Sequence, residues 1–174
     1  LVSDNYFNNY TQSSKVFDNP ELNYFDRDVT NIQATIHKLM EMSAFGLNRF
    51  TYDQTPEEAA KKAELLFFKA YAHILGAELY VGIPTSTLGV VETPSELFTK
   101  AIALLSEAAT LYNTQADKEA CTLLMARCHY GMGHVEEASA LARQIIASPL
   151  MLRQVKYGTQ SGPSNNFQSA IFSS

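Results

Sequence analysis

Thr55-Pro56-Glu57-Glu58-Ala59-Ala60-Lys61-Lys62-Ala63-Glu64-Leu65-Leu66-Phe67-Phe68-Lys69-Ala70-Tyr71-Ala72-His73-Ile74-Leu75-Gly76-Ala77-Glu78-Leu79-Tyr80 is the stretch that decides the fold. It opens as a helix start. Thr55 is an N-cap, Pro56 has its φ preset for the first helical position, and Glu58 stands at N3, where its carboxylate can reach back to the cap amide. Two apolar stripes then run at helical spacing. Ala59, Ala63, Phe67, Ala70, Ile74 and Ala77 form one; Leu65, Phe68, Ala72, Leu75 and Leu79 form the other. A helix apolar on two faces must be covered on two sides, so residues 56–80 are expected to be the most buried helix of a stack. Val81-Gly82-Ile83-Pro84 stops it.

The same grammar recurs outward from this helix. Thr93-Pro94-Ser95-Glu96 is a second capping box, followed by Leu97, Ala101, Leu104, Ala108 and Leu111 beside Phe98, Ile102, Leu105, Ala109 and Tyr112. Upstream, Val29, Ile32, Ile36, Leu39 and Ser43 give a helix from about Asp28 to about Leu47. Downstream, a fourth helix is read over about Gln115 to Met132, and a Gly133-His134 turn leads into a fifth, about Val135 to Ala147. In the fifth helix Val135, Ala138, Ala142 and Ile145 are read as inward, and Pro149 ends it. Phe167 to Phe172 reads as either a short strand or a last helical turn, and no other segment reads as a strand. The fold class is therefore all-α, with antiparallel helical hairpins joined by short connections.

Hydrophobic residues make up 46% of the 174 and charged ones 18%, a globular composition. No apolar run approaches the roughly 18 residues that cross a bilayer, so a soluble or peripherally anchored chain is expected. The formal charge of −5 comes without a basic cluster, which argues against nucleic acid as a partner. The chain opens Leu1-Val2-Ser3-Asp4 and closes just after the apolar pair Ile171-Phe172, which reads as a piece of a longer protein. Residues 1 to about 27 are an irregular, aromatic-rich lead into a helical domain over 27–174. Cys121 and Cys128 lie seven residues apart on one helix, roughly 10 Å, which is too far for a disulfide, so both read as small core residues.

Residues 120–142, from Ala120-Cys121-Thr122 through Gly131-Met132-Gly133-His134 to Leu141-Ala142, resemble a tetratricopeptide unit. Small residues stand where the paired helices touch, and Gly133 makes the turn. Residues 56–112 look like a second, looser unit whose helices are separated by the long loop Gly82 to Glu92.

That enlarged hairpin resembles the SusD/RagB family of Bacteroidota outer-membrane glycan-binding lipoproteins. Four stretches carry the likeness. Ala63 to Ala72, running on to Leu79-Tyr80-Val81-Gly82-Ile83-Pro84, is similar to the family's long helix and its Leu-Tyr-Gly-x-x-Pro ending, although Val81 interrupts the Tyr-Gly pair. Thr93 to Phe98 with Ile102 to Ala108 resembles the next helix, Ala126-Arg127 through Ala142 with Ile145-Ile146 the alanine-rich hairpin, and Asn165-Asn166 with Ile171-Phe172 the segment that follows.

The resemblance implies a surface-exposed outer-membrane protein that captures glycan or another nutrient and passes it to a TonB-dependent transporter. Membrane attachment would come through a lipid anchor outside this chain, and no cofactor or catalysis is implied. The alternative is a generic tetratricopeptide adaptor that binds a peptide in its concave groove.

The residues themselves offer little catalytic chemistry. Cys128, His129 and His134 assemble on paper into a metal site, but adjacent helical residues point about 100° apart, and His37 and His73 lie elsewhere. Glu57/Glu58 and Glu136/Glu137 complement the positive ends of helices. Gly131-Met132-Gly133 is a turn and not a phosphate loop. Tyr71, Phe67, Phe68 and Phe98 fall on helical stripes and read as core. The off-period Tyr6, Tyr10 and Tyr24 are the candidates for stacking against a sugar ring.

Overall fold

In the computed structural model, which describes residues 27–52, 55–86 and 88–148, the chain is all-α, with 79% of those residues helical. The elements are α1 (Arg27–Arg49), α2 (Pro56–Leu79), β1 (Ile83–Pro84), β2 (Val91–Glu92), α3 (Pro94–Leu111), α4 (Gln115–Gly131) and α5 (Val135–Ile146). The helix starts sit where the threonines put them. Thr55 Oγ1 accepts the Glu58 N–H at 3.2 Å. At Thr93 the box is complete: its hydroxyl accepts the Glu96 N–H at 3.4 Å, and Glu96 Oε2 accepts the Thr93 N–H at 2.7 Å. Thr114 caps α4 in the same way through the Asp117 N–H. Gly133, at φ +81°, supplies the left-handed turn between α4 and α5.

Sequential helices run antiparallel. The end of α3 returns to the start of α2, where Asn113 Nδ2 donates to the Pro56 carbonyl and Lys62 pairs with Glu107. The end of α2 returns to the start of α1, where the Tyr80 hydroxyl donates to the Val29 carbonyl. Gly131 near the end of α4 lies against the Phe98 ring near the start of α3. Ser148, just beyond α5, reaches Glu119 near the start of α4. Arg127 makes a two-pronged bond to Glu78 at 2.6 and 2.5 Å, tying α4 directly to α2.

The core is centred on α2, which carries more buried residues than any other described helix: Ala63, Leu66, Ala70, Ala72, His73, Ile74, Gly76 and Ala77. Leu97, Phe98, Ala101, Leu105 and Ala108 of α3 and Ile36 and Met40 of α1 complete it, with Cys121 and Cys128 of α4. Both cysteines are free. Burial pushes their thiols up to about 11 and about 12, so they pack as small apolar groups.

Several expected core residues are not covered. Phe68 is 41% exposed, against its reading as a core ring, and Leu79 and Val135 are also exposed. Ile32 is open as well, while Met40, off the expected stripe, is buried. The reason is where the smallest residues stand. Gly46 lets α1 approach so closely that a Cβ there would lie 2.8 Å from Leu65 Cδ1, which draws the contact line of α1 through Met40, Ser43 and Gly46. On α2 the contacts follow the alanines and Gly76, leaving Phe68 and Leu79 at the margin. The helix α5 packs on α4, and Val135 in its first turn faces away.

The α2–α3 loop also departs from a purely helical reading. Ile83 pairs with Glu92 and Pro84 with Val91 in a short antiparallel ladder. Ile83 is 1% exposed and seats on the bare face of Gly76 beside Leu97. Burying such a side chain contributes about 1.5–3 kcal/mol, enough to hold the loop down on the helices.

Ala70 on α2 and Ala138 on α5 stand at these close approaches. Ala70→Leu and Ala138→Leu are each expected to overpack the interface and lower stability by roughly 1–3 kcal/mol in denaturant or thermal melts. Unchanged melting of both variants would contradict the placement of these contacts.

Candidate functional site

The helices α1 and α3 both pack on α2 and lean on it more than on each other, which opens a cleft with α2 as its floor. The volume is about 850 Å³. Lys69 and His73, one turn apart on α2, form the floor. Met40, Glu41 and Ala44 form the α1 wall; Lys100, Ala103 and Leu104 form the α3 wall; Thr85 and Ser86 of the loop also line it. A smaller recess of about 170 Å³ continues past Ser86 to His37 and Leu88.

His73 is the unusual member, an imidazole only 3% exposed in the most buried helix. Its Nδ1 lies 2.7 Å from the Lys69 carbonyl. A carbonyl can only accept, so Nδ1 carries the proton, and the neutral ring presents Nε2 as an acceptor. Burial pushes the pKa below the ordinary value of 6.5; the Lys69 carbonyl bond opposes this, and the Lys69 and Lys100 charges reinforce it. The ring is therefore neutral at pH 7, and no described residue donates to Nε2.

Glu92 links the loop to the cleft. Its Oε1 accepts a short hydrogen bond from the Thr85 hydroxyl, and its Oε2 forms an ion pair with Lys100 Nζ at 2.6 Å. Burial works to raise the carboxyl's pKa, but the bonds from Lys100 and Thr85 outweigh it and hold the group below its usual 4.5. The Lys100 charge is thus met within the fold. No described carboxylate pairs with Lys69.

The stacking candidates Tyr6, Tyr10 and Tyr24 lie outside the described residues. Of the three residues that assemble on paper into a metal site, His129 and His134 come together across the α4–α5 turn with ring centroids 5.8 Å apart, while Cys128 faces the core. Among the described residues no three His, Cys, Asp or Glu side chains converge as metal ligands. Phe68, expected inside, instead helps line a second cleft of about 430 Å³ with Phe67 and Tyr112. Sequence reasoning missed the Lys69, His73, Lys100 and Ser86 group because its members come from three separate segments. The one local signal was a histidine amid alanines and leucines.

No helix among the described residues is long and apolar enough to cross a membrane. No family model, curated protein or solved structure matches the chain.

The two titrations give acid sensitivity in separate windows. His73 has a lowered folded pKa, so the folded state binds its proton less readily than the unfolded chain, and stability falls as pH drops below about 6.5. Glu92 also has a lowered folded pKa, and its contribution is lost only as pH falls below about 4.5. Urea denaturation is expected to show wild type losing stability between about pH 7.5 and about pH 5.5, with a clearly shallower loss in His73→Gln. Equal losses in the two proteins would contradict a buried neutral His73.

Proposed function

We propose that this chain is the helical scaffold of a SusD-like, surface-exposed nutrient-binding protein that delivers glycan or another nutrient to a TonB-dependent outer-membrane transporter. In this reading the protein binds and hands over its ligand without catalysing a reaction. Attachment to the outer membrane is through a lipid anchor outside the chain. The helical layer gives rigidity and a transporter-facing side, and the aromatic lead with Tyr6, Tyr10 and Tyr24 contributes to ligand contact.

The observation that carries the reading is the order of parts about the α2–α3 loop. A long buried helix ends at Leu79-Tyr80-Val81-Gly82-Ile83-Pro84, a loop folds back through a short strand pair, and an alanine-rich hairpin follows. With α3 standing between the strand pair and the hairpin, that is the order of the first three resembling stretches; the fourth, Asn165-Asn166 with Ile171-Phe172, lies outside the described residues. A sugar site needs several aromatic and polar groups held together, and rigid packed helices are suited to hold them.

The test uses the whole protein in the cell that makes it. Protease applied to intact cells is expected to remove the protein, and detergent extracts are expected to yield it together with a TonB-dependent transporter. A protein protected in intact cells and recovered in the cytosolic fraction would overturn the proposal and favour the tetratricopeptide adaptor.

A further inference from the structure

The α1–α2–α3 cleft presents two polar groups side by side that no described side chain partners. Lys69 brings an ammonium that no described carboxylate pairs with. One turn on, His73 is more than nine-tenths buried as a residue, spends its Nδ1 proton on the Lys69 carbonyl, and has no donor to Nε2 among the described residues, so that atom is left to the water of the cleft. A bound group that satisfies both must place a negative oxygen beside a hydrogen-bond donor.

The surroundings narrow the ligand further. Ser86, an exposed loop residue lining the cleft, makes no side-chain hydrogen bond within the described fold and can both donate and accept. Lys100 has ammonium protons beyond the one directed to Glu92, and its charge is felt at His73. These groups gather on the α2–α3 side, whereas Glu41 stands on the α1 wall. A ligand carboxylate is therefore seated toward Lys69 and Lys100, away from the Glu41 charge. Met40, Ala44 and Leu104 supply apolar contact for carbon.

We infer that this cleft is a binding site for a small sugar acid, a carboxylate with a hydroxyl on its β-carbon as in a hexuronate, with Lys69 holding the carboxylate and His73 accepting from that hydroxyl. A simple carboxylate would satisfy Lys69 and leave His73 unmet. A neutral sugar would satisfy His73 and leave the Lys69 charge unmet. A bound ligand displaces water from both groups, and either one left without a partner in the complex is costly, so the cleft selects for both features together. Binding here is independent of where the protein resides in the cell, so this site and the surface-capture proposal succeed or fail separately.

The experiment titrates the 174-residue chain with D-glucuronate, D-glucose and acetate at matched ionic strength, reading heat and the NMR resonances of the His73 ring. Glucuronate is expected to saturate, to shift those resonances, and to bind about tenfold or more tightly than either of the other two. Lys69→Met, at a half-buried position, is expected to weaken glucuronate about tenfold with its helical circular dichroism retained; Ser86→Ala is expected to weaken it a few-fold. Glucuronate binding no tighter than acetate, saturation without any His73 shift, undiminished affinity in Lys69→Met, or no saturable binding up to about 50 mM would each overturn the assignment. The wild-type comparison among the three probes decides the matter even if a variant fails to fold.

Discussion

Small side chains on α2 and opposite it set how closely everything else in the structure can approach. Ala63, Ala70, Ala72 and Ala77 are buried along the helix, and Gly76 admits Ile83 where even one methyl would collide, 2.5 Å from its Cδ1. Close approach raises the number of dispersion contacts per turn and brings larger residues of the neighbouring helices into the same layer. It also explains the cleft. Because α1 and α3 are each drawn onto α2, the space between them stays open, with α2 polar groups at its base. The same contacts that stabilise the layer therefore create its concave face.

The polar links are secondary in energy and primary in register. The Lys62–Glu107 pair is largely solvated and contributes about 0–1 kcal/mol at most. Seating Ile83 alone stabilises the fold by more than that. The ion pairs instead choose among otherwise similar packings: Glu78 with Arg127 fixes α4 against α2, and Glu92 with Lys100 and Thr85 fixes the loop against α3. Glu92 thus connects a loop, a helix and the cleft through one carboxylate.

What the sequence makes legible follows from range. The helix starts at Thr55 and Thr93 and the turn at Gly133 are local chemistry, written within four residues, and the structure places them there. The all-α class follows from sustained 3.6-residue spacing. Which stripe is covered depends on the neighbour, and there periodicity misleads: Phe68 and Leu79 lie on an apolar stripe whose margin no described helix reaches. The strand pair leaves no trace in the sequence because two residues each, one of them Pro84, offer no alternation to detect. The cleft was illegible for a related reason. Lys69 and His73 look like isolated polar residues on a buried helix until Ser86 and Lys100 arrive from elsewhere in the chain.

Helix α2 is the element on which the others depend, and native-state hydrogen exchange tests this most directly. The amides of residues 63–77 are expected to exchange slowest, only through global unfolding, with α5 and the first turns of α1 opening well before them. Exchange of the α2 amides by local opening, at or ahead of the rate seen in α1 and α5, would contradict it.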